Sequence, residues 1–162
     1  MFGVSGLGAS SHTAAYTSVA GPVRDRGFSF LGNMEKLGIP FINNSLVTTR
    51  KYLKEQPRIV ESVIKAILEG NAYILNPTNR KMVTEILARN LRLEPDKAEA
   101  AYRDLLPKVE RKPYANMDAI AAMLKVLGET NPKIGQVKPE QLVDVSILRK
   151  LDREGFIDQF YR

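Results

Sequence analysis

The chain has no cysteine and no tryptophan, and His12 is its only histidine. Without cysteine it cannot form a disulfide, a thiolate metal site or a cysteine nucleophile. A single histidine rules out any metal site built from several imidazoles. Acid–base catalysis would then depend on carboxylates, lysines or tyrosines, and the acidic residues stand singly at helix starts or beside lysine and arginine. We therefore predict a protein that is not an enzyme, with no catalytic residues, no metal site and no cofactor.

Targeting and membrane signals are also missing from the sequence. No basic residue precedes Arg24, and glycines interrupt the small apolar residues at the start of the chain. A secretory signal begins with positive charge and continues into an unbroken apolar run. No window approaches the roughly 20 apolar residues that a membrane helix needs. The sequence predicts a soluble protein that is not membrane-embedded and carries no signal peptide.

The positive charge is spread thinly along the chain. Lysine and arginine number 24 against 18 acidic residues, which gives a net charge of +6. The densest basic cluster, Lys108 to Lys112, has a glutamate inside it, and no nucleic-acid-binding motif accompanies it. Basic residues interleaved with acidic ones are typical of solvated helix faces. We predict no nucleic-acid partner.

Helical periodicity is the strongest pattern in the sequence, and it is longest from Pro57 to Asn76. Apolar residues recur there at steps of three and four, at Ile59, Val60, Val63, Ile64, Ile67, Leu68 and Leu75. This wide stripe predicts an amphipathic helix buried against a core. Pro57 favours the first helical position, and Pro77 excludes the preceding residue from the helix. Further helical patterns cover residues 50–55, 79–91, 94–106 and 117–127, and a last one lies between Asp144 and Gly155.

Capping residues mark the ends of several of these helices. Thr49, Thr78 and Asn116 stand where a side-chain oxygen can accept from the first free N–H groups of a helix. Gly128 is predicted to lie just past the end of its helix. Phe156, after Gly155, is predicted to fold back on the last helical turn.

Strand patterns are few and short. Phe2–Ser5, Phe28–Leu31 and Ser45–Thr48 are the three candidates. The first runs into a Gly/Ser loop and then into a helix that starts near His12. Such a loop allows close backbone approach, and the N-terminal N–H groups of a helix attract an anion. Gly8, Ser10, Ser11 and His12 are therefore candidate ligand-binding residues, although the loop also fits a flexible glycine-rich terminus.

Four stretches resemble periplasmic solute-binding proteins of ABC importers, in the sulfonate, nitrate and thiamine-precursor class. These stretches are GVSGLGASSHTAAY, GFSFLGNMEKLGIPF, SLVTTRKYLKEQPRIVESVIKAILEGNAYILNPTN and LVDVSILRKLDREGFID. The resemblance implies a helix-rich α/β chain, a partial type II binding-protein fold with few short strands and five or six packed helices. Only Thr17 to Arg26 separates the first two stretches, so the chain resembles an internally shortened and truncated member.

The resemblance also implies a domain division and a function. Residues 1–49 would be a remnant of the second lobe with its linker strands, and residues 50–162 the helical C-terminal part of the first lobe, together one compact unit. A small anionic ligand would bind at the Gly/Ser loop without being transformed, and an ABC permease would receive it. The family works in the periplasm, although this chain shows no export signal.

A second interpretation is a helical interaction or structural protein. In that case the helix faces that would pack on the absent strands pack on a partner or on a second copy, giving a homodimer. It predicts association without a small molecule, whereas the first interpretation predicts binding of a small anion.

Overall fold

The structure is a computed structural model and describes Gly27, Ile42 and residues 44–162. The chain divides into two units, Met1–Gly32 and Asn33–Arg162, and every helix below belongs to the second. The predicted division at residue 49 stays a prediction, because most of residues 1–49 lie outside the described part.

Residues 44–162 form seven α-helices joined by short connections. In chain order these are α1 (Arg50–Glu55), α2 (Pro57–Leu75), α3 (Arg80–Leu91), α4 (Pro95–Leu105), α5 (Met117–Thr130), α6 (Pro132–Gly135) and α7 (Ser146–Arg153). Single 3-10 turns lie at Pro77–Asn79, Leu106–Lys108, Pro139–Gln141 and Asp158–Tyr161. The sequence predicted five or six helices, and the one it did not predict is the four-residue α6.

The α/β prediction is wrong for this part of the chain, because residues 44–162 contain no strand and no sheet. The predicted strand Ser45–Thr48 is irregular and exposed to solvent, with 81% of Val47 accessible. A strand needs a neighbour to pair its N–H and C=O groups, and the described residues supply none. The partial type II binding-protein fold is overturned with it. Phe2–Ser5 and Phe28–Leu31 lie outside the described residues.

The central helix α2 has the predicted boundaries. Pro57 is its first residue, and Asn76 follows its end in extended backbone with φ −78° and ψ 116°. The preceding helix α1 begins at the predicted cap, because the Thr49 Oγ1 accepts from the Tyr52 N–H at 3.0 Å. Asn116 caps α5 in the same way and accepts from the Ala119 N–H at 3.0 Å. Local chemistry fixes all of these ends, through prolines at α2 and through side-chain hydrogen bonds at α1 and α5.

Two other helix ends differ from prediction. Thr78 does not cap α3; its own N–H donates to the Asn76 Oδ1 at 3.0 Å instead. Gly128 lies inside α5, which continues to Thr130. A methyl group at Gly128 would lie 2.8 Å from the Cα of Gly135 in α6. The glycine is therefore needed for the close approach of two helices and does not end one.

The main core lies between α2 and α7. It contains Leu68 from α2, Leu148 and Leu151 from α7, and Ile157 from the segment that follows. Gly155, at φ +74°, reverses the chain after α7, and the Phe156 N–H donates to the Leu151 carbonyl at 3.0 Å. This is the predicted glycine cap with its hydrophobic contact, and it carries Ile157 back into the core.

Helices α3 and α4 pack against each other as a neighbouring pair. Their contact buries Val83 of α3 with Ala98 and Tyr102 of α4. An ion pair between Arg80 and Glu99 joins the two helices at the surface. The turn between them begins at Arg92, a non-glycine residue with φ 54°, which places this backbone in the left-handed region.

Candidate interaction surface

The four predicted ligand-binding residues, Gly8, Ser10, Ser11 and His12, lie outside the described part of the chain. Their assignment as an anion site stays a prediction.

Charged side chains form a compact network at the C-terminal end of α7. Lys112 Nζ lies 2.7 Å from Asp152 Oδ1 and 3.0 Å from Asp158 Oδ1, and the Tyr114 hydroxyl donates to Asp152 Oδ2 at 2.8 Å. The hydrogen bond to Asp152 raises the pKa of Lys112. The Lys112 ammonium, followed by the Tyr114 hydroxyl, lowers the pKa of Asp152.

This network stabilises charged Lys112, charged Asp152 and neutral Tyr114, the forms that these groups already have at neutral pH. The pKa of Tyr114 is raised, first by its hydrogen bond to Asp152 and then by desolvation. A general acid or base needs a pKa near the operating pH, and these shifts move each group away from it. The effect of the network is structural, since it fastens the loop after α4 to the end of α7. The sequence did not predict this contact, because the residues lie about 40 positions apart.

A second ion-pair group joins α2 to α7. Glu61 accepts from Lys65 at 2.8 Å and from Lys150 at 2.9 Å, and these two ammonium groups lower the pKa of Glu61. Within residues 44–162, no group of three histidine, cysteine or acidic side chains has an arrangement that could hold a metal ion. None of the helices described is long and apolar enough to cross a membrane.

The side of α2 opposite the core is apolar and faces solvent. We call it the outer face, and it consists of six exposed residues and the half-buried Gly70: Ile59, Ser62, Val63, Ala66, Ile67, Gly70 and Tyr73. Ile59, Val63 and Ile67 follow one another at four-residue steps and are 48%, 40% and 42% exposed. The sequence predicted that these three would be buried with the rest of the stripe. Only the opposite side is covered, where Val60, Leu68 and Ala72 are buried.

The side-chain polar groups of the outer face are the hydroxyls of Ser62 and Tyr73. The Ser62 hydroxyl donates to the Arg58 carbonyl one turn earlier at 3.0 Å. Its hydrogen-bonding capacity as a donor is thus satisfied inside the helix. Together with Arg58, Ile59, Val63 and Ala66 it lines a shallow, open depression. The surface offered to solvent there is predominantly apolar.

Gly70 has no packing role within the described part of the chain. No described atom lies within 4 Å of the position that a Cβ would take at Gly70. Glycine inside a helix is about 1 kcal/mol less favourable than alanine. Packing in this unit therefore gives no reason for a glycine at this position, unlike the packed Gly128.

Opposite charges lie along one edge of the outer face. Arg58 is near the start of α2 and Glu69 is three turns later on the same edge. Neither forms an ion pair with another described side chain. Lys65, further round the helix, is already engaged by Glu61 and lies 5.3 Å from the ring centroid of Phe156. The far edge of the face is apolar, with Ile67.

The chain matches no family model, no curated protein and no solved structure.

Proposed function

We propose that this protein is a non-catalytic helical interaction protein that binds another protein surface through the outer face of α2. The observation that carries the proposal is the exposure of Ile59, Val63 and Ile67 on successive turns of the central helix. Single exposed apolar residues are ordinary, but a contiguous apolar strip of this kind is typical of an interaction site.

The spacing of the outer face fits a helix that contacts a partner along its length. Recognition of this type uses anchors at steps of three and four residues, as Ile59, Val63, Ala66 and Gly70 provide. Full burial of a valine or isoleucine contributes about 1.5–3 kcal/mol, and these side chains have close to half of that still to gain. Small residues at Ala66 and Gly70 allow the partner's surface to approach the helix closely.

Site-specific photocrosslinking in producing cells tests this proposal. A photoreactive residue in place of Val63 should give discrete protein adducts, and a second change, Ala66→Glu, should abolish them by placing a charge in the contact. The matched control carries the photoreactive residue in place of Lys97, an exposed position of α4. Adducts of equal yield at both positions, or no adducts at Val63, would contradict the proposal.

A further inference from the structure

We infer that the partner of the outer face is a second copy of this chain, whose α2 packs antiparallel against the first. This inference rests on the proposed function and identifies the partner. Three features of α2 support it: matched side-chain sizes, matched charges, and one register that satisfies both.

Large and small side chains of the outer face pair with each other when two copies of α2 run in opposite directions. In an antiparallel pair, Ile59 lies opposite the partner's Gly70 when Val63 lies opposite the partner's Ala66. Both pairs share the same midpoint, between residues 64 and 65, so a single two-fold axis produces both. Each large side chain then packs against a small one, and the glycine that has no packing role in one unit receives an isoleucine from the other.

The charges on the edge of the face agree with the same arrangement. A two-fold axis that makes two helices antiparallel brings the same edge of each helix together. Arg58 of each chain then approaches the partner's Glu69, with an axial offset of about 3 Å at 1.5 Å per residue, which long side chains can span. Two such pairs form in the dimer.

A parallel pair does not have this complementarity. It would place Ile59 against the partner's Ile59 and Gly70 against the partner's Gly70. It would also bring the charged edge of one helix against the apolar edge of the other, where Ile67 lies. The sequence of α2 therefore distinguishes between the two orientations.

An interface formed by one helix pair is smaller than the roughly 800 Å² per partner that standard complexes bury. We therefore expect a reversible dimer with a dissociation constant on the order of 10 μM. Sedimentation equilibrium of the full chain over a hundredfold concentration range should show this dimer, and Ala66→Glu should leave a monomer. A monomer at every concentration overturns the inference, as does a dimer that Ala66→Glu leaves unchanged.

Cysteine crosslinking tests the relative orientation of the two α2 helices. Because the chain has no native cysteine, any disulfide must form between the introduced residues. The full-length variants Ile59→Cys and Gly70→Cys are oxidised separately and then as a mixture. In the antiparallel dimer, identical positions are offset by about 16 Å along the helices, whereas a disulfide requires Cα atoms within about 7 Å. We expect crosslinks only in the mixture, between one variant and the other. Crosslinks within each separate variant indicate a parallel pair and overturn the inference.

Reversing the charge of Arg58 or of Glu69 tests the contacts between these residues and their partners in the second copy. The measurement is made at low salt, where surface ion pairs are least screened. Arg58→Glu and Glu69→Arg should each raise the dissociation constant about tenfold, because each leaves two like-charged pairs. The double variant should return it to within about threefold of the natural value. A dissociation constant that does not respond to the single changes overturns the inference.

The two proposals fail in different ways. A monomer that still gives Val63 adducts with a different protein overturns the second-copy inference and leaves the proposed function standing. A monomer that gives no adducts overturns both.

Discussion

The contact between α2 and α7 should depend strongly on Leu68. Its side chain is 1% exposed and belongs to the core formed with Leu148, Leu151 and Ile157. Leu68→Ala removes three buried carbons, which contribute about 2.4 kcal/mol at roughly 0.8 kcal/mol each. The cavity left behind adds to this, so we expect the free energy of unfolding to fall by about 2.5–5 kcal/mol. That is a large share of the about 5–15 kcal/mol typical of a domain.

Urea unfolding followed by circular dichroism measures this effect, at a protein concentration low enough to keep the chain monomeric. The matched control is Leu127→Ala, the same change inside helix α5 at a side chain that is 46% exposed. We expect a loss there of less than about 1 kcal/mol, since alanine is also the better helix former. Equal losses at the two positions, or a loss below about 1 kcal/mol at Leu68, would refute the assignment of the core.

Three further predictions concern pH, glycine packing and the N-terminal loop. Because the pKa of Asp152 is lowered in the folded state, its carboxylate stabilises the fold above its unfolded pKa, and this stabilisation is lost below about pH 4. In thermal melts from pH 3 to 7, Asp152→Asn should therefore reduce the loss of stability on acidification. An unchanged loss would exclude the ion pair as its cause. In thermal melts of dilute protein, Gly128→Ala should lower the stability of the fold by about 1–3 kcal/mol through overpacking, whereas Gly70→Ala should raise it by up to about 1 kcal/mol. A stabilising Gly128→Ala together with a destabilising Gly70→Ala would contradict the packing described. Gly8→Val and Ser11→Ala should weaken binding of sulfate in calorimetry if the N-terminal loop holds an anion, and retained affinity in both would reject that site.

Helix boundaries set by local chemistry could be predicted from the sequence. Pro57 removes an N–H that has no partner at a helix start, and Pro77 excludes the preceding residue from the helix whatever lies around them. Asn116 and the Gly155–Phe156 pair likewise act through bonds within a few residues. The end of α3 at Leu91 was also predicted, although the left-handed conformation of Arg92 just after it, which favours glycine or asparagine, was not.

Features that depend on distant residues could not be predicted in the same way. Ser45–Thr48 has a composition typical of a strand, but a strand also needs a neighbour, and composition does not show whether one is present. Gly128 has the form of a helix stop, and its contact with Gly135 becomes visible only when two helices pack.

The exposure of the outer face of α2 could not be predicted from the sequence for the same reason. Apolar residues surround most of this helix, so periodicity alone did not show which of them the core would cover. The coverage by α7 on one side determines that Leu68 is buried, whereas the neighbouring Ile67 stays exposed. The edge charges Arg58 and Glu69 could be identified from the sequence, but their lack of partners among the described residues could not.

The order in which contacts close follows from how far apart they lie along the chain. Arg80 and Glu99, which join α3 to α4, are 19 residues apart, whereas Glu61 and Lys150, which join α2 to α7, are 89 apart. Closing the longer loop costs about 1.4 kcal/mol more in chain entropy. During synthesis, α3 and α4 can therefore pair while the inner side of α2 still waits for α7 to leave the ribosome. Until then the side of α2 that carries Leu68 is exposed as well as its outer face, and transiently exposed apolar surface of this kind favours aggregation.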